Sequence, residues 1–156
     1  MLKVFIIILG FLFFSLLGIS KSYSLKNRKV IISKFIDLIE YILREIKFSK
    51  KNILEILKQT ENDFCFTFDK ADIFSSYLQV KEEKKNQLTK EDWNVLDAFF
   101  LQLGKSDTEG QISLCSSTIE HLKKMESEAE IEVNKYSKMY TSLGILTGLF
   151  FIVISI

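Results

Sequence analysis

The stretch from Leu103 to Gln111 reads Leu-Gly-Lys-Ser-Asp-Thr-Glu-Gly-Gln, and its glycines, lysine and serine are residue types that hold phosphate groups in nucleotide-binding loops. A Walker-type loop has the order GxxxxGK[ST] and follows a strand, so that backbone N–H groups cradle the phosphates. Here Gly104 stands directly before Lys105 and Ser106, after residues with helical periodicity. The sequence therefore predicts a helix–helix turn and not a phosphate site.

Other reactive side chains are few and far apart. Cys65 and Cys115 have no CxxC spacing, and His121 is the single histidine. A metal site needs several such ligands at short spacing, and a disulfide cannot be inferred from two distant cysteines. We therefore predict free thiols, no catalytic residue, no metal, no cofactor, and a protein that is not an enzyme.

Two capping patterns predict where helices begin. Thr89 with Asp92 forms a capping box, in which each side chain accepts a hydrogen bond from the other residue's backbone. Ser106 with Glu109 predicts a second box, and Asp107 favours the positive end of the following helix. Gly104 stands where the preceding helix needs a positive φ angle to end.

The same turn is also a candidate contact surface. A loop that joins two helices, away from the ends of the chain, presents side chains to partners. Capping accounts for Gly104, Ser106 and Glu109, and Gln111 is not needed for it. We take Lys105, Asp107 and Gln111 as candidate partner-contact residues. The alternative is that Gln111 hydrogen-bonds to the loop backbone inside the fold.

Both ends of the chain are apolar. Residues 4–20 and 139–156 carry no charge, and as helices they measure about 26 and 27 Å, enough to cross the hydrocarbon core. The first stretch is longer than the apolar part of a signal peptide, and Ser20-Lys21-Ser22 is a poor cleavage site. We predict two retained membrane spans, at 4–20 and 139–156, around a soluble domain at 21–138.

Basic residues flank the inner ends of both stretches. They are Lys21, Lys26, Arg28, Lys29, Lys135 and Lys138. Because membrane proteins keep Lys and Arg on the cytoplasmic side, this distribution predicts a cytoplasmic domain and both termini outside. Over the whole chain 21 basic residues stand against 20 acidic ones, and a basic excess at 21–51 is matched by an acidic excess at 52–138, which argues against a nucleic-acid partner.

The middle of the chain predicts helices. The chain has no proline, and apolar residues recur every three or four positions from Val30 to Ile46 and from Ile112 to Tyr140. A third helix carries Trp93, Leu96, Phe99, Phe100 and Leu103 on one face, and residues 62–68 form an aromatic connector. We predict an all-α antiparallel bundle of about five to six helices, whose first and last helices continue into the membrane spans.

Three groups of residues carry a resemblance to a known family. They are Glu45-Ile46-x-Phe48, Leu103-Gly104-x-Ser106-Asp107-x-x-x-Gln111, and Lys138-Met139-Tyr140-x-x-Leu143-Gly144-x-Leu146-x-Gly148-Leu149. In this order the sequence resembles the stage III sporulation protein AB family of endospore-forming bacteria, over nearly the whole chain. Asn52 and Phe100 stand where that family has proline and glycine. The resemblance therefore does not decide where the second helix starts or whether helices pack closely at Phe100.

The resemblance implies a function. It implies a subunit of the channel complex between mother cell and forespore, similar to the cytoplasmic domain of inner-membrane platform proteins of type II secretion and type IV pilus machines. The partners it implies are a cytoplasmic secretion-type ATPase and the other membrane subunits, with oligomers expected. The alternative is a small membrane-anchored regulator or sensor whose bundle binds a ligand or signalling protein.

Overall fold

The computed structural model describes residues 2–48, 53, 55, 56 and 73–155, and these residues form helices joined by short turns, with no strand among them. The helices are α1 (Leu2–Phe48), α2 (Ile73–Lys84), α3 (Lys90–Gln102) and α4 (Thr108–Ser155). The prediction of an all-α fold is confirmed. The chain divides into a core unit, Val30–Glu126, and a terminal unit formed by Met1–Lys29 and Ser127–Ile156.

The predicted count of five to six helices is not confirmed. Four helices are described, and Ile53, Glu55 and Ile56 are helical residues between α1 and α2. The predicted aromatic connector at 62–68 lies outside the described residues, and so does Cys65.

Helices α1 and α4 pass through the predicted domain boundaries without a break. They contain 47 and 48 residues. No proline interrupts them, and neither 19–48 nor 111–143 contains a glycine, so the backbone hydrogen bonds continue. The prediction that the first and last helices of the bundle continue into the apolar stretches is confirmed.

The core unit buries one face of α1 and one face of α3. The predicted α3 face is confirmed, because Trp93, Leu96, Phe99, Phe100 and Leu103 are all buried. On α1 the buried residues are Ile31, Ile32, Phe35, Ile36, Leu38, Ile39 and Ile42. Val30 was expected on this face, but it is exposed.

Phe100 lies at the centre of an aromatic cluster. Its ring stacks on Tyr77 of α2 with centroids 4.3 Å apart, and it meets Phe35 of α1 and Phe99 edge to face. Such arrangements add to the burial of aromatic surface because ring edges and faces carry opposite partial charge. Helix α2 therefore packs here through an aromatic stack, where a glycine would allow a closer backbone approach.

A polar clamp joins α2 to α3 beside this cluster. The Tyr77 hydroxyl donates to Asp97 Oδ1 at 2.6 Å, and Lys81 Nζ donates to both carboxylate oxygens at 2.9 and 2.7 Å. Burial, and then the Asp97 carboxylate, raise the pKa of Tyr77 above its usual range. The phenol therefore stays protonated and keeps donating, which fixes α2 in register with α3.

The terminal unit is an antiparallel helix pair that meets through small residues. A Cβ atom on Gly18 would lie 2.9 Å from Gly144 Cα, and one on Gly148 would lie 2.8 Å from the Phe11 ring. Ser22 and Ser137 share a buried hydrogen bond of 2.6 Å. Large apolar side chains instead point outward, including Phe13, Leu16, Leu146 and Phe150.

Two described helices are long and apolar enough to cross a membrane. Only 6% of the most apolar window of α1 and 12% of that of α4 is buried. Core helices of water-soluble proteins with this composition are mostly buried, so the exposed apolar surface fits contact with lipid.

Candidate contact site at the α3–α4 turn

The end of α3 has the geometry that the sequence predicted. Leu103 caps the helix and its N–H donates to Phe99 O at 2.9 Å, while Lys105 N–H donates to Gln102 O at 3.1 Å. Gly104 between them has φ of 80°, in the left-handed region that costs a residue with a Cβ free energy. The chain reverses at this glycine.

The beginning of α4 differs from the prediction. Asp107, and not Ser106, stands at the N-cap, because Gly110 N–H donates to Asp107 Oδ1 at 3.1 Å. The Ser106–Glu109 capping box is therefore wrong. The residue at the third helical position is Gly110, and a Cβ there would lie 2.7 Å from Ser106 Oγ, so the turn folds closely over this glycine. Glu109 remains an exposed acid in the first turn.

Gln111 holds the two sides of the turn together. Its Oε1 accepts from Gly104 N–H at 3.0 Å, and its Nε2 donates to Ser106 Oγ at 2.6 Å and to Gln102 O at 3.4 Å. The side chain is only 3% exposed. The prediction that Gln111 contacts a partner is therefore wrong, and the alternative, in which it satisfies loop backbone inside the fold, agrees with the structure.

Lys105 and Asp107 remain candidate contact residues because both are exposed. The turn presents them on a backbone that Gln111 cross-links, so their positions are fixed before any partner arrives. A preformed contact surface avoids the entropy cost of ordering a loop on binding.

An open groove of about 350 Å³ lies between α3 and α4, beside the turn. The residues that line it are largely uncharged. They are Asn94, Val95, Ala98, Phe99, Leu114, Ser117, Thr118 and His121. Small side chains such as Ala98 and Ser117 leave room for another helix or a small apolar molecule. The groove is a second surface that could receive a partner.

The capping box at the start of α3 is confirmed. Asp92 N–H donates to Thr89 Oγ1 at 3.2 Å, and Thr89 N–H donates to Asp92 Oδ2 at 2.9 Å. The two residues are only three positions apart, so their hydrogen bonds fix the direction in which α3 leaves the preceding turn. The box positions the helix and has no free group for chemistry.

The structure gives no metal site within its described ranges. No cluster of three or more His, Cys, Asp or Glu residues that suits a metal ion occurs there. Cys115 is buried, and burial raises the pKa of its thiol to about 11, which suppresses the reactive thiolate.

The six basic residues predicted to flank the membrane fall into two groups. Arg28 pairs with Glu132 at 2.8 Å and Lys29 with Glu130 at 3.1 Å, so these two charges are neutralised between α1 and α4. The other four, Lys21, Lys26, Lys135 and Lys138, are exposed. Sequence patterns did not separate the groups, because the pairs join residues about a hundred positions apart.

Together these features define a class of protein: a helical protein with an aromatic core, a rigid turn that exposes charged residues, and two apolar helical ends compatible with a two-pass membrane topology. A sequence model of stage III sporulation protein AB matches residues 69–156. The chain belongs to this family. No curated protein and no solved structure matches it.

The matched region begins at Asp69, so it includes α2, α3 and α4. The motif at the α3–α4 turn and the motif at the apolar end of α4 both lie inside it. Glu45, Ile46 and Phe48, which also carried the resemblance, lie before it.

Proposed function

We propose that this protein is a non-enzymatic membrane platform of the sporulation channel complex, which couples a cytoplasmic secretion-type ATPase to membrane subunits. The observation that carries the proposal is the family match over residues 69–156, which covers both the turn and the apolar end of α4. A platform of this kind needs a membrane anchor and a fixed contact surface. The terminal unit suits the first requirement and the α3–α4 turn suits the second.

The turn supports the proposal through its rigidity. Gln111 ties Gly104 to Ser106, and Asp107 caps α4 with the same carboxylate that it exposes. A surface that transmits movement from an ATPase must not absorb it by local rearrangement. We propose Lys105 and Asp107 as part of the contact with the ATPase or with a neighbouring subunit.

Charge reversal at the turn tests this contact. Lys105→Glu should weaken co-purification of the full-length protein with its ATPase and membrane partners from sporulating cells, and spore yield should fall. Exposed substitutions usually change the free energy of unfolding by less than about 0.5 kcal/mol, so the melting temperature should not move. Lys124→Glu, at an exposed lysine of α4, is the matched control. Normal binding and normal spore yield with Lys105→Glu would remove the turn from the contact.

The groove between α3 and α4 favours the second candidate function, a membrane-anchored regulator or sensor. A volume of about 350 Å³ is within the range of small-molecule sites. Ala98→Trp would fill the groove and leave Lys105 and Asp107 unchanged. If spore yield falls with Ala98→Trp but not with Lys105→Glu, and partner binding persists in both, the regulator is the better description.

We further propose that the core unit faces the cytoplasm, on the mother-cell side. The support is the excess of Lys and Arg at the inner ends of the two apolar segments. Single cysteines at Glu83 or Asn86, both exposed, should react with a membrane-impermeant reagent only after lysis. The background chain carries Cys65→Ala and Cys115→Ala. Labelling of intact cells would reverse the orientation.

A further inference from the structure

Four exposed lysines of the terminal unit lie at one level along its helix pair, and they are Lys21, Lys26, Lys135 and Lys138. Lys21 precedes Ser22 and Lys138 follows Ser137, and the two serine hydroxyls are 2.6 Å apart. Because α1 and α4 run antiparallel here, Lys26 and Lys135 are displaced from that bond in the same direction, away from the apolar segments. At about 1.5 Å per residue, all four lysines fall within about 8 Å along the helix axes.

That depth matches the headgroup layer of a bilayer. The hydrocarbon core is about 30 Å thick and the whole bilayer about 40–45 Å, which leaves about 5–8 Å of polar layer on each side. The apolar segments end at residues 20 and 139, directly beside Lys21 and Lys138. Lysine side chains at this position extend their apolar stems along the helix and place the ammonium group among headgroups.

Aromatic residues occupy the same level. Tyr23 is exposed, Tyr136 is half-buried, and the Lys135 ammonium lies 5.0 Å from the Tyr136 ring centroid. Tyr140, also half-buried, lies about one helical turn further along α4, at the start of the apolar segment. Tyrosine is enriched where hydrocarbon meets headgroups, because its ring is apolar and its hydroxyl is polar. The tyrosines therefore place this level at the membrane surface independently of the lysines.

The charge of this level is not cancelled within the terminal unit. Its acidic residues are Glu128, Glu130 and Glu132; Glu130 and Glu132 pair with Lys29 and Arg28, and Glu128 lies seven residues beyond Lys135. The two ion pairs therefore neutralise the charges that lie beyond the four lysines, on the side away from the apolar segments. The four lysines remain as an excess of positive charge.

We propose that Lys21, Lys26, Lys135 and Lys138 form a collar that binds anionic phospholipid headgroups, with Arg28 and Lys29 excluded by their ion pairs. The occupant is a lipid phosphate in the bilayer that surrounds the protein. The collar would hold the helix pair at a fixed depth and concentrate anionic lipid around it. The proposal rests on the apolar segments lying in a membrane and on no protein partner, so it stands or falls separately from the coupling role.

The test uses full-length protein in non-ionic detergent, titrated with phosphatidylglycerol or with phosphatidylcholine, and native mass spectrometry to count bound lipids. We expect preferential binding of phosphatidylglycerol. Replacing all four lysines with glutamine should weaken that binding by about fivefold for each lysine at low salt. Replacing them with arginine should preserve it, and raising the salt to about 1 M should weaken it in the wild type.

The matched control carries the same loss of charge in the core unit. It replaces Lys47, Lys85, Lys90 and Lys124, all exposed, with glutamine and should bind phosphatidylglycerol as the wild type does. An equal loss in this control, or an unchanged lipid preference in the collar variant, would overturn the proposal. Competition by inorganic phosphate at the same concentration would show a general anion site instead of a lipid collar. Failure of both lipids to bind the wild type would overturn the membrane assignment itself.

Discussion

In the core unit the large side chains face inward, whereas in the terminal unit they face outward, although both units use stretches of α1 and α4. Phe35 and Phe100 are buried in the first, while Phe13 and Phe150 are exposed in the second. Where the helices meet, the core unit places aromatic rings, and the terminal unit places Gly18 against Gly144.

The difference is the one expected if lipid surrounds the terminal unit, as we propose, and water surrounds the core unit. Water drives large apolar groups together, so the core unit gains stability by burying aromatic area. Lipid tails are as apolar as leucine, so helices in a membrane gain little from hiding large side chains and associate through close backbone contact and hydrogen bonds. The Ser22–Ser137 bond and the glycine contacts are such interactions. One helix can thus bury its large side chains in one unit and expose them in the other, when the solvent around the two units differs.

The largest effect on the core unit should come from Phe100→Ala. It removes the ring that stacks on Tyr77 and meets Phe35, and truncation of a buried phenylalanine costs about 3–5 kcal/mol. Trp93 is the single tryptophan and lies in this core, so its fluorescence during denaturant unfolding of the full-length protein measures the loss. Leu101→Ala, at a side chain that is 50% exposed, is the control and should cost much less. Equal losses would mean that α2 does not depend on the stack.

A smaller effect should come from Gly104→Val. Among the described residues the added Cβ would meet Ile53 Cδ1 at 3.7 Å, an ordinary contact, so the cost comes from the backbone angle, at about 1–2 kcal/mol. Gly104→Asn should cost less, because asparagine tolerates the left-handed region. The measurement is again Trp93 fluorescence. If both variants unfold at the same denaturant midpoint as the wild type, the turn relaxes without strain and is not the fixed surface that we describe.

The smallest effect in this measurement should come from Gly144→Leu, because it changes the other region. A Cβ at Gly144 would lie 2.9 Å from Gly18 Cα, so leucine should force the helix pair apart while Trp93 reports an unchanged core unit. Cysteines at Ser22 and Ser137, whose hydroxyls are 2.6 Å apart, should form a disulfide when isolated membranes are treated with a copper–phenanthroline oxidant, and Gly144→Leu should suppress it.

The control for this change is Leu146→Phe, which enlarges an exposed side chain two residues away. Cross-linking should persist there. Efficient cross-linking in Gly144→Leu would show that close glycine contact does not hold the pair, and a shifted Trp93 transition would show that the two regions do not respond separately.

Local sequence patterns predicted much of this structure because their partners are close in the chain. The Thr89–Asp92 box, the positive φ of Gly104 and the buried face of α3 each depend on residues within a few turns. The amphipathic period of α1 also predicted a buried face, although Val30 proved exposed. Such features follow from backbone geometry and from the 3.6-residue period.

The features that the sequence did not predict depend on pairing between distant or competing groups. Arg28 meets Glu132, and Gly18 meets Gly144, only because two helices happen to share a register. At the turn, Ser106 and Asp107 both suit an N-cap; the Ser106 hydroxyl accepts from Gln111 Nε2, and Asp107 accepts from the helix backbone at Gly110. Rules based on residue type and spacing do not predict which of the two residues becomes the N-cap.

The buried bond between Ser22 and Ser137 has a consequence for biosynthesis, since its partners are 115 residues apart in the chain. At about 5–20 residues per second, Ser22 leaves the ribosome roughly 6–23 s before Ser137 does. In the two-pass membrane topology that we propose, the first apolar segment resides in the bilayer alone while the core unit is being translated. Its outward-facing phenylalanines and leucines suit that interval, because lipid covers them whether or not α4 has arrived. Closure of the helix pair is thus a late event in the maturation of the newly made chain.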